Sequence, residues 1–258
     1  MIDWGQNLKR LFDLVASFSG LILASPIIFA FTILVFLQDF RFPFYVPQRV
    51  GRNGRIFKMV KLRSMKTGAD KSGVLSTSNN DPRITRTGRL IRKYKLDELT
   101  QLWNVLWGSM SIIGPRPQVQ RDVNLYTAEE KRLLSVRPGL TDFSSIVFAD
   151  EGAILADAED PDLRYNQLIR PWKSRLGLFY IDHQSLWLDI RLIGWTAVAL
   201  ISRRVALEGI AKELQALGAP GDLLEVARRD SSLVPYPPPG SDEIVSSRPV
   251  TVESAFSA

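Results

Sequence analysis

Two adjacent carboxylates, Asp97 and Glu98, follow Arg92 and Lys93 and precede a second arginine, Arg116, set in a rigid Gly114-Pro115-Arg116-Pro117 turn. Acids interleaved with guanidinium groups suit chemistry on an anionic phosphate ester more than they suit packing. Neighbours on a helix point about 100° apart, so the two acids cannot share one proton face to face and take separate jobs. If a helix starts close to residue 95, Asp97 lies in its first turn, where free amides and the dipole favour negative charge and can help hold a phosphate. An ionised Asp97 could then act as a nucleophile. Arg92 and Arg116 could neutralise phosphoryl oxygens, which leaves Glu98 free to bind Mg²⁺. The competing reading is structural: both acids cap the helix dipole and pair with Lys93 and Lys95.

Composition narrows the chemistry. The 258 residues carry a formal charge of +6, which favours anionic partners, and their number suggests one main domain with appendages. There is no cysteine and a single histidine, His183, so disulfides, thiolate metal sites and His-based triads are set aside. The basic residues are spread over several elements and interleaved with acids, without a recognition motif, which argues against nucleic acid. A rival of another kind is a catalytically inactive membrane scaffold, which would tolerate Asp97→Asn.

The elements that must position these side chains begin with an apolar stretch over residues 11–37. It is long enough to span a bilayer, but Ser25-Pro26 sits near its middle. Each half makes roughly 18–22 Å of helix, short of the ~30 Å hydrocarbon core. Positive residues flank both ends, Lys9 and Arg10 before and Arg41, Arg49, Arg52 and Arg55 after. Because positive charge marks the cytoplasmic side, a helix broken at Ser25-Pro26 that enters and leaves by one face fits best. A straight anchor kinked at proline is the alternative. Asp13, three residues after Arg10, reads as half of an interfacial pair.

Residues 44–62 read as a β-hairpin around Asn53-Gly54, and 66–82 as a polar loop. From 84 to 107 apolar residues recur at helical spacing, and further helices are expected near 118–135 and 161–178. Residues 185–204 form a helix of the core or of the membrane surface. The proline- and serine-rich segment from 229 reads as disordered. The resulting expectation is a helix-rich α+β fold. Its parts are a membrane helix hairpin (1–40), a catalytic core (41–204), a C-terminal helix (205–228) and a tail (229–258).

Several stretches together resemble the bacterial sugar transferase family of monotopic polyprenyl-phosphate phosphoglycosyl transferases. They are Ser25-Pro26, the run from Gln48 to Gly54, the run from Lys61 to Met65, Asp81-Pro82-Arg83-Ile84-Thr85 and Leu96-Asp97-Glu98-Leu99. Gly114-Pro115-Arg116-Pro117, Arg137-Pro138-Gly139-Leu140-Thr141 and Ser185-Leu186-Trp187-Leu188-Asp189 follow in the family's order, over about residues 8–204. The chain departs from the family pattern at Lys95, Thr100, Ser109 and Asp142.

The resemblance implies a re-entrant membrane helix and amphipathic interfacial helices, on the cytoplasmic face of the bacterial inner membrane. It implies transfer of a sugar 1-phosphate from a UDP-sugar to polyprenyl (undecaprenyl) phosphate, with release of UMP. Asp97 would form a phosphosugar-aspartyl intermediate. Glu98 would hold Mg²⁺ or assist the second step. Arg92, Arg116, Lys61, Arg63 and Arg137 would bind substrate phosphates. Inner-membrane lipids are implied as partners, nucleic acid is not, and a homodimer is allowed.

Overall fold

The structure is a computed structural model that describes residues 4–69 and 81–247. Most of the expected loop at 66–82 and the end of the tail, 248–258, lie outside the described residues. The fold is helix-rich, and the described residues contain six short strands in three two-stranded pairings.

Helix α1 (Trp4–Asp39) is the long apolar element. Its segment Gly5–Asp39 has a mean hydropathy of 2.5 in its most apolar window and is long enough to cross a membrane. Leu23, Phe29, Leu34 and most other large side chains along it face outward. The expected break at Ser25-Pro26 does not divide the element in two, since the chain stays helical through Pro26. Proline lacks the N–H that would bond the Ile22 carbonyl, four residues back. The Ser25 hydroxyl donates to that carbonyl instead, at 2.8 Å. The hydroxyl thus satisfies the acceptor that the proline leaves behind.

Both ends of α1 are fastened to the rest of the molecule. Near the start, Lys9 reaches the buried Asp189 at 2.5 Å, and Arg10 donates to the carbonyls of Val105 and Leu106. Asp13 does not pair with Arg10 as expected from sequence. It is buried and accepts from the Ser111 hydroxyl and the Ile112 amide, both at 3.0 Å. At the far end Val35 packs with Leu62 and Ile91, and Asp39 pairs with Arg63.

The hairpin region is two nested pairs. Strand β1 (Phe44–Tyr45) pairs with β4 (Lys61–Leu62), and inside them β2 (Gln48–Val50) pairs with β3 (Ile56–Lys58), both antiparallel. Asn53 (φ 56°) and Gly54 (φ 76°) make the inner turn, as the dipeptide predicts. Strands β5 (Ser111–Ile113) and β6 (Gly139–Thr141) pair in parallel.

Around this parallel pair the main core gathers helices α6 (Phe143–Val147), α8 (Pro161–Leu168) and α9 (Arg170–Asp182) with α10 (Leu186–Ile201), α11 (Arg203–Ala216) and α12 (Gly221–Arg228). Ile113, Phe143, Ile146, Leu176, Leu192 and Ile210 are fully buried there. Sequence periodicity merges what the chain divides: the expected helix at 118–135 is α5 (Gln120–Val123) and a 3-10 segment at Glu130–Ser135.

Residues 229–247 also depart from the expected disorder. Tyr236 stacks on Trp172 at 4.4 Å beneath the Arg175 guanidinium, which donates to the Pro237 carbonyl at 2.8 Å. Prolines have little backbone freedom to lose, so one aromatic anchor holds such a segment at small entropic cost.

Candidate active site

The region from 84 to 107 is three helices rather than one: α2 (Arg86–Lys93), α3 (Leu96–Leu99) and α4 (Leu102–Leu106). Thr85 starts α2 by accepting from the Gly88 amide at 2.9 Å. The break comes at Lys95, a non-glycine residue in the left-handed region (φ 53°). That conformation costs about 1–2 kcal/mol and redirects the chain. It places both Asp97 and Glu98 in the first turn of α3, where the free amides lie.

Lys61 is brought to Asp97 by two side chains that act as strand partners. Thr100 donates to the Val60 carbonyl at 3.0 Å. Asn104 accepts from the Val60 amide at 2.9 Å and donates to the Lys58 carbonyl at 2.7 Å. Asp97, Thr100 and Asn104 are spaced three and four apart, hence on one face of the helical stretch. The strand end is thereby docked so that Lys61 Nζ stands 3.5 Å from Asp97 Oδ2.

Arg116 arrives from the opposite side, in the turn after β5. The Gly139 amide bonds the Pro115 carbonyl at 3.0 Å and the Val50 amide bonds the Gln118 carbonyl at 2.9 Å, so the turn is held on both sides. The approach requires glycine: a Cβ on Gly139 would lie 2.1 Å from the Gly114 nitrogen. From this turn Arg116 Nη2 meets Glu98 Oε1 at 2.5 Å.

Two ion pairs therefore stand side by side, Lys61 with Asp97 and Arg116 with Glu98, and Lys61 also feels Glu98 and Arg116. Burial alone would raise the Glu98 carboxyl, but Arg116, then Lys61 and Lys95, outweigh it and hold it well below the ordinary range. Glu98 in turn raises the Arg116 guanidinium. Burial pulls Lys61 downward, with Asp97 offsetting only part of the effect. Both acids thus face a cation, and Arg116 keeps donors for a further anion.

The sequence-predicted residues separate into two groups. Lys61, Asp97, Glu98 and Arg116 converge. Arg92 is exposed at the end of α2, within electrostatic reach of Glu151 on α7 (Glu151–Ile154). Arg63 and Arg137 do not join them. Arg63 is turned to the end of α1, where Asp39 takes it with both oxygens at 2.5 and 2.6 Å. Arg137 donates to the Gly108 carbonyl and feels chiefly Arg10 and Arg52 among charged neighbours.

Sequence reasoning missed Glu151, which pairs with Lys173 and is held below its ordinary range by Lys173, Arg116 and Arg92 against the upward pull of burial. It also missed Thr100 and Asn104, whose spacing from Asp97 was the available signal. A cleft starts at Arg116 and runs past Gln118, Asp122, Tyr126, Tyr165 and Lys173.

For a metal, no group of three or more carboxylate or imidazole side chains converges among the described residues. Asp97 and Glu98 supply two carboxylates. That is the number Mg²⁺ commonly takes when substrate phosphates and water complete its shell, so the residues fit such an ion.

Residues 4–203 match the model of the family described as bacterial sugar transferase. The chain is 34% identical over 207 residues to the exopolysaccharide production protein of Rhizobium leguminosarum bv. phaseoli, covering 76% of this chain and 96% of that one. It is 34% identical to the undecaprenyl-phosphate galactose phosphotransferase of Salmonella typhimurium, covering 76% of this chain and 41% of the relative. It is 36% identical to the undecaprenyl-phosphate glucose phosphotransferase of Komagataeibacter xylinus, covering 74% of this chain and 35% of the relative. The chain thus spans about two fifths of the length of several curated relatives that it matches.

Proposed function

The chain belongs to the bacterial sugar transferase family, and on that premise we propose that it transfers a sugar 1-phosphate from a UDP-sugar to polyprenyl phosphate, releasing UMP. What carries the reading is the convergence of two ion pairs, Lys61–Asp97 and Arg116–Glu98, on a core tied to an apolar helix.

In the first step an Asp97 carboxylate oxygen attacks the β-phosphorus of the donor. An oxygen–phosphorus bond forms, the bond from that phosphorus to the bridging oxygen breaks, and UMP departs with the electron pair. In the second step a phosphate oxygen of the polyprenyl phosphate attacks the same phosphorus and the Asp97 oxygen leaves, restoring the carboxylate. Arg116 and Lys61 neutralise non-bridging oxygens through both steps, and Arg92 meets phosphate at the rim. Glu98, ionised beside Arg116, would hold Mg²⁺, with substrate phosphates and water completing its shell. The ion, when bound, would supply positive charge to the donor's phosphates and to the oxygen on which UMP departs.

The same reading puts α1 in the cytoplasmic face of the inner membrane, entering and leaving by one side. Its support is that Lys9 and Asp39, at opposite ends, are both ion-paired to one body. Helix α10 then lies along the interface, since Trp187, Ile190, Leu200 and Ile201 face outward in a helical stripe. Single cysteines at Gly5→Cys and Arg41→Cys should react with an impermeant label from the same side. Reaction from opposite sides would overturn this topology.

The reaction is tested by UMP release from the purified protein with Mg²⁺, polyprenyl phosphate and a panel of UDP-sugars. Release with a restricted set of sugars, lowered roughly 10⁴-fold or more in Asp97→Asn, is expected. Undiminished release in that variant would overturn the nucleophile.

A further inference from the structure

Helices α11 and α12 lie almost wholly beyond the residues that match the family. Between them runs an open groove lined by Arg203, Arg204, Lys212, Arg228 and Arg229, against the two acids Glu208 and Asp230. The internal pairing does not consume this charge. Arg203 and Arg229 share one carboxylate, Asp150, at 2.8 and 3.1 Å. Arg204 faces only the exposed Glu208 one turn on, a pair worth little in water.

Arg203 Nε, Arg229 Nε and Nη1 and the Asp150 Oδ1 beside them are buried and make no aligned hydrogen bond among the described residues, so these atoms are held by charge alone. The outer cations Arg204, Lys212 and Arg228 are exposed along the groove, and a phosphate offers several oxygens to such a cluster at once. Arg203 and Arg204 also stand in the first turn of α11, where the dipole disfavours cations and favours a bound anion.

The groove opens beside an apolar corner. Leu200, Ile201 and Val205 project outward there, Ile201 with 91% of its surface exposed. A soluble anion has no use for such a corner, whereas a lipid does, because its acyl chains can cover the apolar residues while its phosphate enters the groove.

We infer that this groove binds the phosphate of an anionic phospholipid headgroup, with the α10–α11 corner against the acyl chains. The inference rests on the membrane placement proposed above. It gives the core a second, charge-selective attachment at the end of α10 opposite to the Lys9–Asp189 tie.

The test uses the full chain, which has no native cysteine, with a fluorophore on Ile201→Cys, in nanodiscs of phosphatidylcholine. Incorporation into these discs reports α1 alone, and failure to incorporate would sink the membrane placement as well as the inference. A minority of lipid is then replaced by bromine-quenched phosphatidylglycerol or, in parallel, bromine-quenched phosphatidylcholine. Quenching should show phosphatidylglycerol enriched about fivefold or more over random mixing. The enrichment should disappear in high salt and in the triple variant Arg204→Gln, Lys212→Gln, Arg228→Gln, whose side chains are all exposed. Equal quenching by the two lipids would overturn the inference, as would enrichment that survives in the triple variant. Loss of enrichment on adding millimolar inorganic phosphate would show a site for free phosphate and overturn the commitment to lipid.

Discussion

Two arginines of similar sequence setting, Arg63 and Arg116, end in opposite circumstances. Arg63 gives bonds to both Asp39 oxygens and to the Phe42 carbonyl, with longer contacts to the Val35 and Arg41 carbonyls. Arg116 makes one strong bond, to Glu98, and a long one to the Leu140 carbonyl. A guanidinium has five donors in a fixed fork. Where they are saturated by the fold, the residue is a fastener. Where a few are used and the rest face a cleft, the residue can meet a substrate. Composition alone does not tell these apart; the number of acceptors around the fork does.

The contrast can be broken most directly at Arg116. Its replacement by methionine should lower UMP release roughly 10²–10³-fold, the usual cost of removing a charge-stabilising donor. Because Glu98 loses its cation, the midpoint of thermal unfolding should also fall, but less than in Arg63→Met. A collapse of stability instead would make Arg116 a fastener too.

Arg63→Met should do the reverse, destabilising the protein by about 2–4 kcal/mol through the loss of several charge-assisted hydrogen bonds. Release of UMP per folded molecule should stay close to that of the parent. Denaturant titration beside the activity assay separates the two effects, and a specific loss of activity would return Arg63 to the site.

A finer distinction concerns Lys61, whose burial lowers its proton affinity below the ordinary lysine value of 10.5. Below its folded pKa the ammonium is charged in both folded and unfolded states, and the burial penalty is present in full. As pH rises through that pKa the folded protein loses the proton first, and the penalty is relieved. Stability from this group therefore rises with pH while a charged phosphate ligand is lost. The alkaline limb of UMP release should lie below pH 10.5 and move upward in Lys61→Arg. A limb that does not move would show that Lys61 does not act as a cation in the site.

The smallest effect is expected at Lys95. Glycine there removes the left-handed strain and should stabilise the protein by about 1 kcal/mol, read as a higher unfolding midpoint. No gain would mean that Lys95, which helps hold the Glu98 carboxylate ionised, returns as much through charge as it costs in strain.

What could be read from the chain followed the range of the interactions. The place of Asp97 and Glu98 in the first turn of a helix was legible, because it rests on a few neighbouring residues. So was the Asn53-Gly54 turn. Arg63 was misread because its partner, Asp39, lies 24 residues earlier, at the end of an apolar helix. A helix start close to residue 95 was legible and α3 begins at Leu96, but Lys95 is neither glycine nor asparagine, so its left-handed turn was not announced. Thr100 and Asn104 looked like ordinary polar residues until the strand they complete was in place. The tail resembled disorder by composition, and Tyr236 alone changes that outcome by stacking on Trp172.

The two fastenings of α1 also set an order in time. Asp39 meets Arg63 after only 24 further residues, whereas Lys9 must await Asp189, 180 residues later. At synthesis rates of about 5–20 residues per second, that interval is roughly 10–40 s. On the membrane placement proposed above, the apolar helix would have time to settle into lipid while held at its later end, its first turns locked only when the core closes over them. Membrane entry would then precede completion of the site, which would be assembled in place rather than delivered whole.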